Sequence, residues 1–370
     1  MNNIFSLISQ LCPDGVEFQE LGEVLEYEQP TKYIVNSTNY SEVYKTPVLT
    51  AGQTFILGYT DETGGIYNAN KENPVIIFDD FTTSFHWVNF DFKVKSSAMK
   101  MLRPKYKPEI DFKFIYYAMR CILYSPQDHA RQWISKYSTF SIPCPPLPIQ
   151  QEIVSILDKL TQLETELKTE LQARRAQYEY YRNELLNFEG KEVGWSTLGE
   201  VSKILRGTAI TEKETISDEF PVVANSPNPI YFHGKSNRSG ETIVIARSGA
   251  YSGLVSYWNK PFFLTDAFSI HPDNTLFKTK FVYFLLKREQ EKIHQMKKGS
   301  GVPHVRAKDF ESYSVPIPPL TEQERIVAIL DKFDKLVNDK VEGLPAEIQV
   351  RRKQYEYYRG KLLDFKPLTL

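Results

Sequence analysis

The sequence predicts a mixed α/β protein, with two globular domains at opposite ends of a spacer made of two long antiparallel coiled-coil helices. Three observations predict this architecture. The nonapeptide RRAQYEYYR begins at Arg174, and the nearly identical RRKQYEYYR begins at Arg351. Around each nonapeptide, apolar or long side chains recur every three or four residues, as they do along a coiled-coil helix. The remaining segments contain short strand and helix candidates bounded by Gly, Asn and Pro.

The repeat extends well beyond the nonapeptide. A Pro-rich segment precedes each copy, IPCPPLPIQQEIVSILDKL from Ile142 and VPIPPLTEQERIVAILDKF from Val315. NELLNF follows the first copy and GKLLDF follows the second. Weaker matches pair FQELGEV with WSTLGEV and KFIYYAMR with KFVYFLLK. The chain is therefore predicted to consist of two half-molecules related by an approximate internal two-fold axis.

These boundaries divide the chain into four predicted segments. Residues 1–142 form a first globular domain with a short N-terminal stub, and residues 191–315 form a second. Residues 143–190 and 316–370 form the two long helices. Within the domains, NPVIIF, ETIVIA and GLVSYW are strand candidates, whereas DFKFIYYAMRCIL and TKFVYFLLKREQEKI are helix candidates.

Each long helix has a predicted apolar seam. In the first helix the seam comprises Ile153, Leu157, Leu160, Leu163, Leu167, Leu171, Arg174, Tyr178, Tyr181, Leu185 and Phe188. In the second it comprises Ile326, Leu330, Phe333, Val337, Val341, Leu344, Ile348, Arg351, Tyr355, Tyr358, Leu362 and Phe365. The second helix carries four extra residues around EGLPAE, where Pro345 is expected to kink or interrupt it.

Connectivity predicts the direction of the helices. A helix of about 40 residues is roughly 60 Å long. The second domain joins the end of the first helix to the start of the second, and a compact domain keeps its chain ends close together. An antiparallel pair satisfies both conditions and puts the two domains at opposite ends.

Composition bounds the function. The chain has 370 residues with 41% apolar and 13% aromatic side chains, which is too long for one ordinary core and too apolar for wholesale disorder. It has no apolar run of about 18 residues and no secretory signal pattern, so no membrane association is expected. Three scattered cysteines suit a reducing cytoplasm rather than a disulfide framework or a zinc cluster.

Charge is distributed unevenly although the net charge is only −1. Residues 191–315 hold 17 basic and 13 acidic side chains, a net charge of +4, whereas residues 15–142 hold 13 and 15, a net charge of −2. Within residues 15–142, the strip KVKSSAMKMLRPKYK (Lys93 to Lys107) carries six basic residues and no acid. Such a strip is expected either to be a solvated loop or to bind phosphates.

The paired Pro-rich segments, the RR-x-QYEYYR-x-x-LL-x-F tails and CPDGVEFQELGEV resemble the DNA-specificity (S) subunit of type I restriction–modification systems, over essentially the whole chain. The resemblance implies a non-catalytic recognition subunit in which each globular domain reads one half of a bipartite site on double-stranded DNA. It also implies that two adenine-N6 methyltransferase (M) subunits dock near the helices and that two restriction (R) subunits can join. S-adenosylmethionine would then belong to the M subunits, and ATP and Mg to the R subunits, so this chain is expected to bind no cofactor.

Two unlike reading heads roughly 60 Å apart would span roughly 17 base pairs, and their target would not be palindromic. Base reading requires polar side chains at loop tips, with small residues that let the backbone approach phosphate. In the first domain the candidates for DNA binding are Tyr59, Thr60, Thr63, Thr82, Thr83, His86, Lys100, Arg103, Lys105 and Lys107. In the second they are Lys235, Asn237, Arg238, Arg247, Ser248, Tyr251, Ser252, Lys297, Lys298, Ser300 and Arg306. Each is individually also compatible with an ordinary surface position.

The nonapeptides supply the candidates for M-subunit docking. They are Arg174, Arg175, Tyr178, Tyr180, Tyr181 and Arg182 in the first copy, and Arg351, Arg352, Tyr355, Tyr357, Tyr358 and Arg359 in the second. The alternative is a helix stabilised by charged pairs three and four residues apart. Retention of residues off the seam in both copies favours a docking surface.

Rival functions fit the sequence less well. A methyltransferase needs a Gly-rich cofactor loop and an (N/D)-P-P-(Y/F) motif, whereas NSPNPIYF splits the two prolines and GAYSG follows no dinucleotide-binding pattern. No metal-ligand spacing of histidines and no phosphate-binding loop motif is present in the sequence. A coiled-coil scaffold with two protein-binding heads would explain the repeat. It would not explain basic, Ser/Gly-rich loops in both heads.

Overall fold

The computed structural model describes residues 2–52, 54–211, 213, 215, 219–229, 231–297 and 304–368, with side chains from residue 4 onward. The chain divides into two compact units. Unit 1 contains Met1–Glu166 and Gln349–Leu370, and unit 2 contains Leu167–Ile348. Both are mixed α/β, as the sequence predicted.

The elements of the first half run from a short N-terminal helix to the first long helix. They are α1 (Asn2–Leu11), β1 (Glu17–Glu20), α2 (Leu21–Val24), β2 (Leu25–Glu28), β3 (Thr46–Leu49), β4 (Ile56–Thr60), β5 (Val75–Asp79), β6 (Phe85–Val88), β7 (Lys93–Val94), β8 (Met99–Pro104), α3 (Phe112–Met119), α4 (Gln132–Ser135), β9 (Ser141–Cys144) and α5 (Leu147–Leu185).

The second half repeats this order and ends in a helix of two parts. Its elements are β10 (Gly194–Thr197), α6 (Leu198–Val201), β11 (Ser202–Arg206), β12 (Phe220–Val223), β13 (Phe232–His233), β14 (Thr242–Ala246), β15 (Val255–Trp258), β16 (Phe263–Leu264), β17 (Ala267–Pro272), α7 (Thr279–Arg288), α8 (Gln290–Gln295), α9 (Ala307–Glu311), β18 (Ser314–Ile317), α10 (Leu320–Asn338) and α11 (Leu344–Leu362).

In unit 1 a four-stranded antiparallel sheet has the order β2-β8-β5-β6. Its central strand β5 is covered on both faces. Ile76 and Phe78 pack into one core with Leu102 of β8, whereas Val75 and Ile77 pack into a second core beside the smaller sheet β4-β3-β7. Burial of both faces explains why this strand is a continuous apolar run rather than an alternating one.

Unit 2 repeats the same frame. Its four-stranded antiparallel sheet has the order β11-β17-β14-β15, and its smaller sheet has the order β13-β12-β16. The central strand β14 is again buried along its whole length, with Ile243 and Ile245 in one core and Val244 in another. The strand predictions for NPVIIF, ETIVIA and GLVSYW are confirmed. The predicted helix TKFVYFLLKREQEKI instead forms α7 and α8, because Glu289 leaves the helical conformation between them.

The long helices differ in continuity. The first is a single helix, α5, of 39 residues, which at 1.5 Å per residue is about 58 Å long. The second is interrupted between α10 and α11, as the extra residues predicted. Pro345 is the second residue of α11, a position where its missing N–H does no harm. Val341 was predicted to lie on the seam, but it falls in the interruption and is 83% exposed.

In each unit, one end of α5 packs against one of the two parts of the second long helix. In unit 1, Ile153 and Leu157 of α5 share a core with Tyr355 and Leu362 of α11. In unit 2, Tyr178 and Leu186 near the end of α5 share a core with Ile326, Leu330 and Val337 of α10. This pairing is the one that antiparallel helices require.

A buried glutamine fastens the start of α5 to the domain that precedes it. The Gln150 side chain has no exposed surface. Its Nε2 donates to the carbonyl oxygens of Pro145 at 2.7 Å and Glu109 at 3.0 Å, and its Oε1 accepts from the backbone N–H of Asp111 at 2.8 Å. One amide thereby satisfies three backbone groups and fixes the entry to α3.

The equivalent glutamine of unit 2 makes the same three bonds. Gln323 is also fully buried, and its Nε2 donates to the carbonyl oxygens of Pro318 and Leu276, both at 2.8 Å. Its Oε1 accepts from the backbone N–H of Lys278 at 2.9 Å, just before α7. These three hydrogen bonds of one buried glutamine, called the glutamine clamp below, are therefore present in both units. The sequence analysis did not identify either glutamine.

Replacing either clamp residue, Gln150→Ala or Gln323→Ala, is expected to lower the free energy of unfolding by about 1–3 kcal/mol, because buried backbone groups lose their partners. Urea denaturation measures this. Gln162→Ala is the matched control, because Gln162 is exposed on α5 and its side chain donates to the carboxylate of Glu166 at 2.8 Å. A denaturation midpoint equal to that of the control would show that the clamps do not stabilise the protein.

Candidate nucleic-acid interface

A basic cleft of about 680 Å³ lies in unit 2 where β11 and β14 end and β17 begins. Among its described lining residues are four cationic side chains, those of Arg206, Arg247, Arg306 and Lys308, and one acidic side chain, that of Asp266. Such a surface attracts a polyanion, and its guanidinium groups can also donate to base edges. The cleft is therefore the candidate nucleic-acid contact of unit 2.

Arg247 follows directly after β14, and its backbone is held firmly. Its carbonyl oxygen accepts from the backbone N–H of Val305 at 2.9 Å and from the Oγ of Ser252 at 3.0 Å. The side chain is 53% exposed and forms an ion pair with Asp266 at 3.8 Å. A fixed backbone with a half-exposed guanidinium is suited to contact DNA.

Two of the other predicted residues in this region have structural roles. Ser248 is 7% exposed and Ser252 is fully buried. Neither serine therefore lies at a free loop tip, contrary to the prediction. Tyr251, between them, is 48% exposed and remains available. Lys297 is half-buried, whereas Lys298 and Ser300 lie outside the described residues.

The loop GKSNRSG also divides into exposed and structural residues. Lys235 is exposed. Asn237 instead fastens the loop to β16, because its Oδ1 accepts from the backbone N–H of Leu264 at 2.6 Å and its Nδ2 donates to the carbonyl of the same residue at 3.0 Å.

Arg238 turns toward the sheet rather than toward solvent. Its guanidinium donates to the Oγ of Ser269 at 2.8 Å and to the carbonyl oxygens of Asn237 and Arg206, each at 2.8 Å. Burial lowers the pKa of Arg238, and burial together with the nearby guanidinium lowers the pKa of His271. The expectation that Arg238 contacts DNA is therefore corrected, because its donors are engaged in holding β11 and β17.

The basic strip of unit 1 is mostly not a loop. It forms β7 and β8, and Lys100 is only 1% exposed, with its ammonium 3.2 Å from the carboxylate of Asp80. Arg103 donates to Glu28 at 2.5 Å and to the hydroxyl of Tyr67 at 2.6 Å. The prediction that Lys100 faces DNA is wrong, because residues 99–102 of β8 are all buried and the Lys100 ammonium pairs with Asp80 inside the unit.

The end of the strip is more accessible. Lys105 is exposed and donates to the carbonyl oxygen of Gly22 at 2.6 Å. Lys107 is half-buried and donates to the Oε1 of Gln19 at 2.7 Å. Both ammonium groups retain donors for a phosphate, because a lysine has three.

The remaining unit 1 candidates also divide by exposure. Thr63 and Thr82 are exposed, and Tyr59 is half-buried. Thr60 is 1% exposed, and Thr83 is 8% exposed with a φ of 58°, in the left-handed region. These two threonines are structural, contrary to expectation.

His86, the last unit 1 candidate, is half-buried on β6. Its ring stacks on Phe55 with centroids 4.6 Å apart, and its Nε2 lies 3.0 Å from the carbonyl oxygen of Gly52. It lines a small cleft of about 350 Å³ that also contains Thr83 and Arg120. The ring is therefore held in place rather than free at a loop tip.

The two nonapeptides have closely matched side-chain environments. Tyr180 is 61% exposed and Tyr357 is 60% exposed. Each forms an edge-to-face pair with the next tyrosine, at 5.4 Å to Tyr181 and 5.2 Å to Tyr358. The first arginines of the two copies, Arg174 and Arg351, each donate to the glutamine three residues later, and the second arginines, Arg175 and Arg352, are exposed.

The first tyrosine of each nonapeptide faces inward. Tyr178 is 6% exposed and Tyr355 is 9% exposed, so these two tyrosines are core residues and not docking residues as predicted. The guanidinium groups of Arg182 and Arg359 lie over their rings, each 5.4 Å from the ring centroid. Burial raises the pKa of both tyrosines.

One exposed cation that the sequence analysis missed is Arg131, directly before α4. Its side chain is 51% exposed, and its guanidinium lies 3.9 Å from the carboxylate of Asp80. Nothing in the sequence around it, SPQDHARQW, distinguishes it from other surface arginines. The residue acquires a defined position only through the fold.

Burial raises the pKa of the Cys144 thiol to about 11 and also raises those of Cys12 and Cys121. All three thiols are free. Within the described residues, no three side chains of the metal-binding types come together. Among the helices of the same residues, none is apolar over a length that would cross a bilayer.

Two duplicated α/β frames with long helices and a basic cleft are the features expected of the specificity-subunit family that the sequence resembles, and comparison with known families agrees. The model of the type I restriction modification DNA specificity domain matches residues 13–174 and again 191–350. The chain therefore belongs to the type I restriction–modification DNA specificity family, as the resemblance in the sequence indicated.

Individual relatives fit this assignment. The chain is 42% identical to the type I restriction enzyme EcoR124I/EcoR124II specificity subunit of Escherichia coli, over 96% of this chain and 97% of that protein. It is 34% identical to the type I restriction enzyme MpnII specificity subunit of Mycoplasma pneumoniae, over 52% of this chain and 62% of that protein.

Solved structures agree in fold. The crystal structure of the type I restriction–modification S subunit from M. genitalium matches with a TM-score of 0.69 at 18% identity, covering 94% of this chain and 96% of that one. A chain from a structure of type I restriction–modification complex assembly matches with a TM-score of 0.57 over 95% of this chain and 98% of its own. The predicted mixed α/β class, with a long helix and an internal repeat, is confirmed.

Arg238→Ala is expected to lower the free energy of unfolding by about 1 kcal/mol, because Ser269 and two carbonyl oxygens lose a partly buried donor. Lys235→Ala, in the same loop but exposed, is the matched control and is expected to change stability by less than about 0.5 kcal/mol. Thermal or urea denaturation measures both. Equal stability of the two variants would contradict the structural role of Arg238.

Proposed function

We propose that this chain is the sequence-specificity subunit of a type I restriction–modification complex and binds a bipartite, asymmetric site on double-stranded DNA. Each unit supplies one recognition domain. The chain itself is non-catalytic and acts in the cytoplasm. Two adenine-N6 methyltransferase subunits dock on it and carry S-adenosylmethionine, and restriction subunits join through them and carry ATP and Mg.

The observation that carries the proposal is that the two units have the same sheet topology but different side chains at the ends of corresponding strands. The sheets of the two units have corresponding strand orders, β2-β8-β5-β6 and β11-β17-β14-β15. In contrast, the strand end that presents exposed Arg247 in unit 2 carries buried Asp80 in unit 1. Equal frames favour reading two half-sites in the same manner, and different side chains favour two different half-sites.

The matched nonapeptide surfaces support docking of two identical partners. Tyr180 and Tyr357 are exposed to the same extent, beside exposed Arg175 and Arg352. Tyrosine and arginine are the residue types that contribute most to protein interfaces. A scaffold carrying the same surface twice binds two copies of one partner, which agrees with two methyltransferase subunits.

The host strain is expected to carry methylated adenines in one split, non-palindromic sequence, and deletion of this gene is expected to abolish that methylation. Sequencing of methylated adenines in both strains measures this, with the complemented deletion strain as control. Identical methylated motifs in the parent and the deletion strain would contradict the proposed function.

Arg247→Ala is expected to weaken or relax recognition of one half-site only, by roughly tenfold to a hundredfold, because a good arginine–base contact is worth about 1–3 kcal/mol. Binding of the assembled complex to duplexes altered in one half or the other measures this. Lys260→Ala, which removes another exposed charge of unit 2, is the control. Equal loss at both halves would argue against one independent reading domain per unit.

Tyr180→Ala and Tyr357→Ala are each expected to weaken docking of one methyltransferase subunit by about thirtyfold, since truncation of a central interface tyrosine costs about 2 kcal/mol. Mass measurement of the assembled complex should show one bound subunit for each single variant and none for the double variant. Tyr106→Ala, at a residue 95% exposed and outside the nonapeptides, is the control. Retention of two subunits by the double variant would exclude this docking surface.

A further inference from the structure

The loop after the central strand occupies the same place in both units. In unit 2 the backbone N–H of Val305 donates to the carbonyl oxygen of Arg247 at 2.9 Å. In unit 1 the backbone N–H of Gln132 donates to the carbonyl oxygen of Asp80 at 2.7 Å. Arg247 and Asp80 are thus equivalent, and the residue before each donor, His304 or Arg131, is equivalent as well.

In unit 2 the carboxylate partner of Arg247 is held by several contacts. Asp266 has a φ of 35°, in the left-handed region that non-glycine residues rarely adopt. Its Oδ2 accepts from the Oγ of Ser248 at 2.5 Å and from the Nδ2 of Asn225 at 3.2 Å. Its Oδ1 lies 3.8 Å from the Arg247 guanidinium, so a fixed carboxylate limits where that guanidinium can lie.

Unit 1 contains ion pairs at the same strand end, but there the carboxylate, Asp80, directly follows the strand, and its cationic partners come from β8 and from the segment before α4. Asp80 is 1% exposed, and its Oδ1 accepts from the backbone N–H of Trp133 at 2.9 Å. Its Oδ2 lies 3.2 Å from the Lys100 ammonium and 3.9 Å from the Arg131 guanidinium. Arg131 is 51% exposed and Arg247 is 53% exposed, so each unit presents one half-exposed arginine beside one anchored carboxylate.

We propose that Arg131 is the base-reading arginine of unit 1 and has there the role that Arg247 has in unit 2, although the two occupy different positions of the repeat, and that Asp80 and Asp266 are positioning residues for these two arginines. The inference rests on the proposed function. Each arginine donates two parallel N–H groups to O6 and N7 of a guanine in the major groove, one guanine in each half-site.

The neighbouring carboxylate distinguishes a base contact from a phosphate contact. A phosphate approaching either arginine meets a like charge within a few ångströms, which is unfavourable. A guanine edge presents two neutral acceptors and meets no such repulsion. The carboxylate also restricts the rotamers of the arginine, so less conformational entropy is lost when its planar donors meet the base.

The experiment uses the chain assembled with its methyltransferase subunits and the duplex site identified by methylation sequencing, with every base pair of the site replaced in turn. Arg131→Ala is expected to abolish discrimination at one guanine of one half-site, roughly tenfold to a hundredfold, and to leave the half-site read through Arg247 unchanged. Arg131→Lys keeps the charge but not the planar paired donors, and it is expected to restore discrimination only in part, because lysine also donates to O6 and N7 of guanine. Lys45→Ala, an exposed charge of unit 1, is the control.

The positioning role is tested with Asp266→Asn and Asp80→Asn. Each is expected to reduce discrimination at the same base pair as its arginine variant, and the arginine and carboxylate changes are expected to be non-additive. Asp80 is buried, so the exposed-side variant Asp266→Asn decides the question if Asp80→Asn impairs folding. Additive losses at unrelated base pairs would contradict positioning.

The other outcomes separate this inference from the proposed function. If the wild-type complex recognises no split site, the proposed function itself fails. If it does, but Arg131→Ala retains discrimination at every base pair, only the inference fails. Uniform weakening on all duplexes, with the salt dependence reduced by about one phosphate contact, would identify Arg131 as a phosphate contact and would also overturn the inference.

Discussion

The buried glutamine at the start of each long helix is the contact on which the arrangement of each unit depends. Gln150 and Gln323 each satisfy three backbone groups that would otherwise be buried without partners. A leucine or alanine there would leave those groups unsatisfied, and glutamate would lack the two donors. Each glutamine therefore fixes the position of the helix relative to the sheet, and with it the direction in which the strand ends point.

A second duplicated contact works with the clamp. Lys113 of α3 forms an ion pair with Asp158 of α5 at 3.8 Å, and Lys280 of α7 forms one with Asp331 of α10 at 2.7 Å. Tyr117 of α3 also donates to Asp158. The weak sequence matches KFIYYAMR and KFVYFLLK thus mark the helix that locks each sheet onto its long helix. Both halves of the repeat preserve the contacts that attach the sheet to its long helix, whereas the side chains at the strand ends differ.

The sequence predicted those features that are encoded locally. Short segments bounded by Gly, Asn and Pro predicted the strands β5 and β14, and the heptad-like spacing predicted α5. Features that depend on distant partners were not predictable. Lys100 looks like part of a basic surface strip, yet its pairing with Asp80, twenty residues earlier, places it in the core. Arg131 acquires its position from the same carboxylate, and no local pattern indicates this.

The loops at the strand ends are anchored through main-chain atoms, as the bonds to the carbonyl oxygens of Asp80 and Arg247 illustrate. A peptide group is common to all residues, so this anchorage tolerates substitution of the side chains it presents. If the chain has the function proposed above, a few point mutations can therefore change the DNA sequence that it recognises. The methyltransferase and restriction subunits would then need no compensating change, so related strains could rapidly come to methylate different DNA sequences.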